Sequence, residues 1–310
     1  MKDKRSFSVK PHLELLAVQI IFGTWGIAGK IALREITPFA LSAIRVALAA
    51  AAFALIGQLT GNIKPIARRD WPLLFASSVC GIVLNQWFFV TGLSHTTVIN
   101  SVLITTTMPI FTLIIGSIAG TDRPSFGRAL GIVLAAAGVF YLIGPSRADV
   151  AAGSRLGDLF ILGSALIYGC YIAISKPLVE KYGALPTVTW IFIIATLPTV
   201  VVGAISLRQV SVVVIDARAW LSIAYIVAVP TVVAYYLLSA ALKEVAPSTV
   251  AVYIYLQPLI AFLAAPALLG EAFTMRTAIA AALVFAGVGI TTRRRKQRSV
   301  QMAEIEITRT

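Results

Sequence analysis

Gln19, Gly23, Gly26 and Lys30 follow one another at intervals of four, three and four residues, so they share one face of a helix. Similar spacings recur in Ser164, Tyr168, Tyr171 and Ser175, in Thr231, Tyr235 and Ser239, and in Thr249, Tyr253 and Gln257. Asn85 beside Gln86, and Asn100 with Thr107, add two further polar spots. Amides, hydroxyls and phenol rings can hydrogen-bond and stack on a solute. They do not pair a nucleophile with a base. Any one stripe serves equally well as hydrogen bonding between helices. Six such groups in one chain read better as the lining of a single polar cavity.

The ionisable groups narrow the chemistry further. Of the 13 acidic residues, twelve fall in polar connections, tails or segment ends, and Glu14 opens the first apolar segment. His12 and His95 lie at segment ends, too far apart to share a metal. A membrane enzyme would need paired acids, a nucleophile–base pair or metal ligands at depth, so the chain reads as a non-enzyme with no cofactor and no metal. Proton-driven carriers use buried Asp, Glu or His as relays; their absence at midplane points to a facilitator or exchanger. Lys30 and Arg45 are the two cations inside apolar segments, where a charge costs at least ~2.5–3.5 kcal/mol at the centre. Lys30 can either snorkel to a segment end or, with Lys176, stand at one of two opposite mouths to greet an anionic group. Arg45, roughly 10 Å deep at 1.5 Å per residue, reads first as a clamp on carbonyls of a neighbouring helix. Trp25 falls near the middle of its segment. With Trp87, Tyr168, Tyr171, Tyr235 and Tyr253 it offers flat walls for an aromatic solute or a cation–π contact for an amine. Packing serves equally for Trp87.

These residues sit in an oily chain: 58% of its 310 residues are hydrophobic and 13% charged, against ~25% charged in an average soluble domain. Such a composition excludes a soluble two-domain enzyme, and two cysteines exclude a disulfide scaffold. Crossing a bilayer takes ~20 apolar residues. Ten runs qualify: about 13–33, 38–57, 72–92, 98–119, 126–143, 157–176, 186–206, 221–241, 248–269 and 277–292. They lack the alternation of barrel strands, so they are expected to be helices. With the N-terminus inside, 18 of the 26 basic residues fall in inside segments, six outside and two within spans. That bias predicts both termini in the cytoplasm. The net charge of +13 is then topology and attraction to anionic lipid, not a nucleic-acid surface. Residues 1–12 read as a cytoplasmic tail, not a cleaved signal, and 293–310 as a basic one.

The chain also matches itself. At an offset of 149, Trp71 falls on Trp220, Leu93 on Leu242, Pro109 on Pro258, Asp122 on Glu271, and Ala137-Gly138-Val139 on Ala286-Gly287-Val288. Earlier in each half the offset is about 146, pairing Gly23 with Gly169, Trp25 with Tyr171 and Lys30 with Lys176. Five helices per half is odd, so the second half must enter the membrane upside down. Inverted repeats of this kind recur in secondary transporters, with the site between the halves. The expected repeats are 13–143 and 157–292, joined by a loop over 144–156. Pro109 and Pro258 each free a carbonyl in mid-span, which suits a hinge or a solute contact. Gly127, Gly131, Ala135 to Gly138, Ala282, Ala286 and Gly287 read as close-packing surfaces.

The order of short motifs resembles the drug/metabolite transporter superfamily, in its ten-helix form with two EamA-type halves. The residues concerned are Trp25-Gly26, Pro38 with Arg45, Gly92-Leu93, Met108-Pro109, Gln257-Pro258 and Leu269-Gly270-Glu271. Asp122 departs from the Glu often found there. The resemblance implies a multi-pass inner-membrane exporter of small metabolites or xenobiotics, with the fifth and tenth helices away from the solute path. Mixed amide and aromatic chemistry with a cation at each mouth suits an amino acid. A sugar-phosphate or nucleotide-sugar antiporter, or a xenobiotic efflux protein, is the alternative. The partners expected are a small solute and the bilayer, with the protein acting as a monomer.

Overall fold

The structure is a computed structural model that describes residues 9–118, 126–143, 152–207, 216–245, 250, 253–287 and 289–290. Among them the regular elements are all helical. α1 is Lys10–Ala32 and α2 is Pro38–Leu59. α3 runs Trp71–Ser78, a π-helical stretch Val79–Leu84, and Asn85–His95. α4 is Val98–Thr105 followed by Met108–Ile118. α5 is Phe126–Ile143, α6 is Ala152–Tyr182 and α7 is Ala184–Leu207. α8 runs Ala217–Ile226, a second π stretch Val227–Val233, and Ala234–Glu244. α9 is a 3-10 turn Ile254–Leu256 leading into Gln257–Leu269, and α10 is Met275–Gly287.

Chemistry at the ends explains where these helices begin and stop. Pro11, Pro38 and Pro72 sit at the first turns of α1, α2 and α3, where a missing N–H costs nothing. Gly270 closes α9 in the left-handed conformation at φ 70°, which a side chain would oppose. Pro109 and Pro258 interrupt their helices at matching places. Upstream of Pro109 the hydroxyls of Thr105, Thr106 and Thr107 donate to the carbonyls three residues back, at 2.6–2.8 Å. α6 begins earlier than the run from 157 suggests, so Asp158 lies within the helix and not at its start.

The packing carries the repeat. α1 packs on α8 and α9; its mate α6 packs on α3 and α4, while α2 pairs with α7 and α4 with α9. Each interface is thus matched by its partner under exchange of the halves. Thr37 at the start of α2 meets Ser206 at the end of α7 at 2.5 Å, and Phe53 near the end of α2 stacks on Phe192, ring centroids 5.2 Å apart. α2 and its mate α7 therefore run antiparallel, and the repeats are inverted. Small residues permit close approach where helices cross. A Cβ on Gly157 would stand 2.8 Å from the Gly92 carbonyl, and one on Gly287 only 2.5 Å from that of Gly131.

The outer surface is apolar: Leu59, Phe140, Leu197, Leu221 and Leu263 are each more than 70% exposed. Such a surface suits lipid and would aggregate in water. Six of the helices are long and apolar enough to cross a bilayer, with shorter apolar helices beside them. Trp71 and Trp220, both near helix starts, are about half exposed, as interfacial tryptophans are.

Candidate functional site

A cavity lies between the halves, with about 700 Å³ of space counted together with the solvent at its mouth. α1, α2, α3 and α4 line it from the first repeat, α6, α8 and α9 from the second; α5 and α10 contribute none of the described lining. Of the expected residues, Gln19, Trp25, Asn85, Gln86, Tyr168, Tyr235 and Gln257 meet here. Two belong to equivalent positions: Gln86 and Tyr235 are 149 apart, each the second residue after a π-helical stretch. A π stretch inserts an extra residue in a turn and rotates the face that follows. In α8 the cause is Pro230, which lacks the N–H that would bond the Ile226 carbonyl. The Thr231 hydroxyl donates to that carbonyl instead, at 2.6 Å. In α3 the π stretch contains Gly81, onto which the Tyr171 ring packs so closely that a Cβ would come within 2.4 Å of it.

Arg45 is the centre of the cavity's polar network and is only 1% exposed. Its Nε donates to Thr231 Oγ1 at 2.5 Å and its Nη1 to Gln86 Oε1. Gln86 Nε2 donates to Asn85 Oδ1 at 3.2 Å, and Asn85 Nδ2 donates to the Ser164 carbonyl and hydroxyl at 3.1 and 3.0 Å. One chain of hydrogen bonds therefore runs from α6 through α3 and α2 to α8, crossing the boundary between repeats twice. The guanidinium also lies over the rings of Trp25 and Tyr235, 5.0 and 5.9 Å from their centroids. Across the cavity Gln257 Nε2 donates to Gln19 Oε1 at 2.5 Å, joining α9 to α1.

Arg45 thus grips side chains, not the helix carbonyls expected of it, and it faces the cavity. Sequence periodicity missed this role because Ser42 alone accompanies Arg45 on its helix face, too little to mark a polar stripe. The one available signal was a cation at depth with no acid beside it. Phe22, Phe89, Met108 and Ile172 were also missed, since apolar residues in an apolar helix carry no mark of which way they face. Met108 aligns with Gln257 in the repeat, which was a usable hint.

Four expected residues lie elsewhere. Lys30 does not stand free at a mouth: its Nζ donates to the carbonyls of Leu93 and Thr96, at 2.7 and 2.5 Å. Lys176 does the same to Leu242 and Val245, both at 3.2 Å. Lys30 and Lys176 are repeat mates, and so are their acceptors. Both lysines cap the open carbonyls at the end of a helix, α3 or α8, where the macrodipole favours a cation. Asn100 turns to Asp158, its Nδ2 lying 3.4 and 3.5 Å from the two carboxylate oxygens, and Thr96 Oγ1 donates to the same acid at 2.5 Å. Tyr171 is spent on Gly81, as above. Tyr253 bonds His12 Nδ1 at 2.7 Å, near the N-terminal end of α1. Trp87 packs edge-on against Phe39, with centroids 5.9 Å apart. Pro258 sits at the start of its helix segment and is buried. The Pro109 side chain lies outside the described residues.

Glu271 is more than a loop acid. Its two carboxylate oxygens accept from the backbone N–H groups of Val98 and Ile99, at 2.8 and 3.1 Å. It therefore neutralises the positive N-terminus of α4 from the end of α9. Its repeat mate Asp122 lies outside the described residues.

Two inverted helical repeats around a shared polar cavity, with an apolar outer surface, define a membrane transporter. The EamA-like transporter family matches the chain twice, at residues 10–144 and 155–293, and the chain belongs to that family, within the drug/metabolite transporter superfamily. Relatives similar along nearly their whole length bear it out. A protein of Archaeoglobus fulgidus described as an uncharacterized transporter is 26% identical over 284 residues, 91% of this chain and 98% of its own. The uncharacterized transporter YyaM of Bacillus subtilis is 26% identical over 283 residues, 89% of this chain and 92% of its own. One solved crystal structure shares the fold, with a TM-score of 0.65 over 91% of this chain and 97% of that one, at 17% identity.

Proposed function

We propose that this protein exports a small metabolite of amino-acid type across the cell inner membrane by alternating access of its two repeats. The observation that carries the reading is the cavity itself. Its polar wall is assembled from both halves, and its hydrogen-bond chain would have to break and re-form if the halves rocked against each other. Gln19, Trp25, Arg45, Gln86, Tyr235 and Gln257 are the residues assigned to solute contact. Lys30, Asn100, Tyr171 and Tyr253 hold the surrounding helices. Described cavity-lining residues include no Asp, Glu or His, which supports a facilitator or exchanger driven by the solute's own gradient. Both termini then lie in the cytoplasm, on the side the basic residues favour.

The test is efflux from proteoliposomes loaded with a panel of amino acids, amines and sugar phosphates. Flux of amino acids above that of protein-free vesicles is expected. Flux of none of the panel overturns the proposal, and accumulation driven by a pH gradient alone overturns its facilitator mechanism.

A further inference from the structure

We infer that the cavity recognises its solute through a carboxylate brought to Arg45, and that it rejects organic cations. This rests on the transport reading above and adds a charge class to it. A guanidinium keeps its proton in proteins, so Arg45 places a permanent charge among buried groups. Its side-chain partners Thr231, Gln86 and the Tyr235 hydroxyl are all neutral and leave part of its five N–H donors free. No acid is found among the described lining residues to balance it. Neutral acceptors satisfy hydrogen bonds but leave the charge uncompensated.

Two further observations point the same way. Tyr168 lines the same cavity, and its hydroxyl is buried with no hydrogen-bond partner among the described residues. An unpaired buried O–H is costly unless a ligand accepts from it, and a carboxylate oxygen does so with a short, charge-assisted bond. Meanwhile two of the ring faces that could hold an amine are already taken. Arg45 lies over both Trp25 and Tyr235, so a second cation there would sit against the first. The uncompensated charge of Arg45 therefore favours an anion in the cavity and opposes a second cation. Phe22, Phe89, Met108, Ile172 and Leu238 complete the wall, which calls for an apolar body behind the carboxylate. A phosphate dianion would ask for more than one cation, and Arg45 is alone among the described lining.

The experiment measures binding to the purified full-length protein by quenching of tryptophan fluorescence, with four probes that share one ring. Phenylacetate is an anion, phenylalanine a zwitterion, phenyltrimethylammonium a permanent cation and benzyl alcohol neutral. Phenylacetate, phenylalanine or both are expected to bind at least tenfold more tightly than the cation and the alcohol, and which of the two binds separates a monoanion site from a zwitterion site. Arg45→Gln is expected to abolish that preference, and Arg45→Lys to weaken it by about tenfold, because a point charge replaces a planar fork. Equal binding of phenyltrimethylammonium, no binding of either carboxylate, or unchanged carboxylate binding in Arg45→Gln would each overturn the inference. If the variants do not fold, the probe series on the wild-type protein still decides it. Transport of amines by a cavity that binds the cation would leave the transport reading standing and sink only the charge assignment.

Discussion

Replacing Lys30 with Met tests whether the paired lysines are caps or solute contacts. Methionine keeps most of the aliphatic stem and removes the charged donor. Two carbonyls at the end of α3 then lose a cation that now sits 2.7 and 2.5 Å from them. Hydrogen bonds to charged groups contribute ≈1.5–3 kcal/mol each. Part of that is offset, since the half-buried ammonium was itself desolvated on folding. The net expected loss is about 2–4 kcal/mol. Lys176→Met should cost less, about 1–2 kcal/mol, because its contacts are longer at 3.2 Å and charged bonds weaken with length. Its additional ion pair with Glu180, at 3.0 Å, is solvent-exposed on the acid's side and adds little. The two sites share no partner, so the double variant should show the sum within ~0.5 kcal/mol. Thermal unfolding of the purified protein reads this directly. At about 2 °C per kcal/mol for a chain of this size, Lys30→Met should lower Tm by about 4–8 °C. Flux per folded molecule should keep its KM. An unchanged Tm with a raised KM would refute the cap and return Lys30 to the mouth as a solute-greeting cation.

Other outcomes follow from single contacts. Gln257→Ala leaves the Gln19 carbonyl oxygen buried without its donor, an expected loss of about 1–3 kcal/mol together with reduced flux and normal membrane insertion; full flux at wild-type Tm would remove this pair from the cavity's working parts. Trp25→Ala removes the ring on which Arg45 rests and should lower solute affinity at least tenfold in the fluorescence-independent proteoliposome assay, whereas unchanged flux in both variants would move the solute path elsewhere. Glu271→Ala strips the cap from two N–H groups of α4 and should lower stability by about 1–2 kcal/mol, measured by thermal unfolding, with solute selectivity unchanged. Gly157→Ala puts a methyl 2.8 Å from the Gly92 carbonyl and should cost about 1–3 kcal/mol as the α3–α6 contact is forced apart; a wild-type Tm would show that these helices are not in that register.

Much of the fold was legible in the residue order, because the bilayer imposes one-dimensional rules. Length and hydropathy mark the spans, and an offset of 149 exposes the repeat. An odd number of helices per repeat forces the inversion that α2 and α7 display. Close packing was legible too: Gly138 and Gly287 stand where a Cβ would strike the facing helix. Even the wall of the cavity was partly readable, since seven of the eleven residues singled out for solute contact do line it.

The roles of the charged residues were decided only in three dimensions. A lysine near a helix end looks the same in sequence whether it faces a solute or a neighbouring helix's last carbonyls, and Lys30 faces the carbonyls. The repeat held a hint, since Lys30 and Lys176 align along with Leu93 and Leu242, the residues whose carbonyls they bond. Counting by three and four also fails across a π-helical stretch, where one extra residue turns the following side chains to another face. That is how Gln86, from the same repeat, and Tyr235, from the other, both come to face Arg45. The sequence by itself determined that this chain spans a membrane as two inverted halves, because lipid tolerates few alternatives. Only the tertiary structure decided that its one deep arginine faces the cavity, because helix rotation is set by packing against neighbours and leaves no period in the sequence.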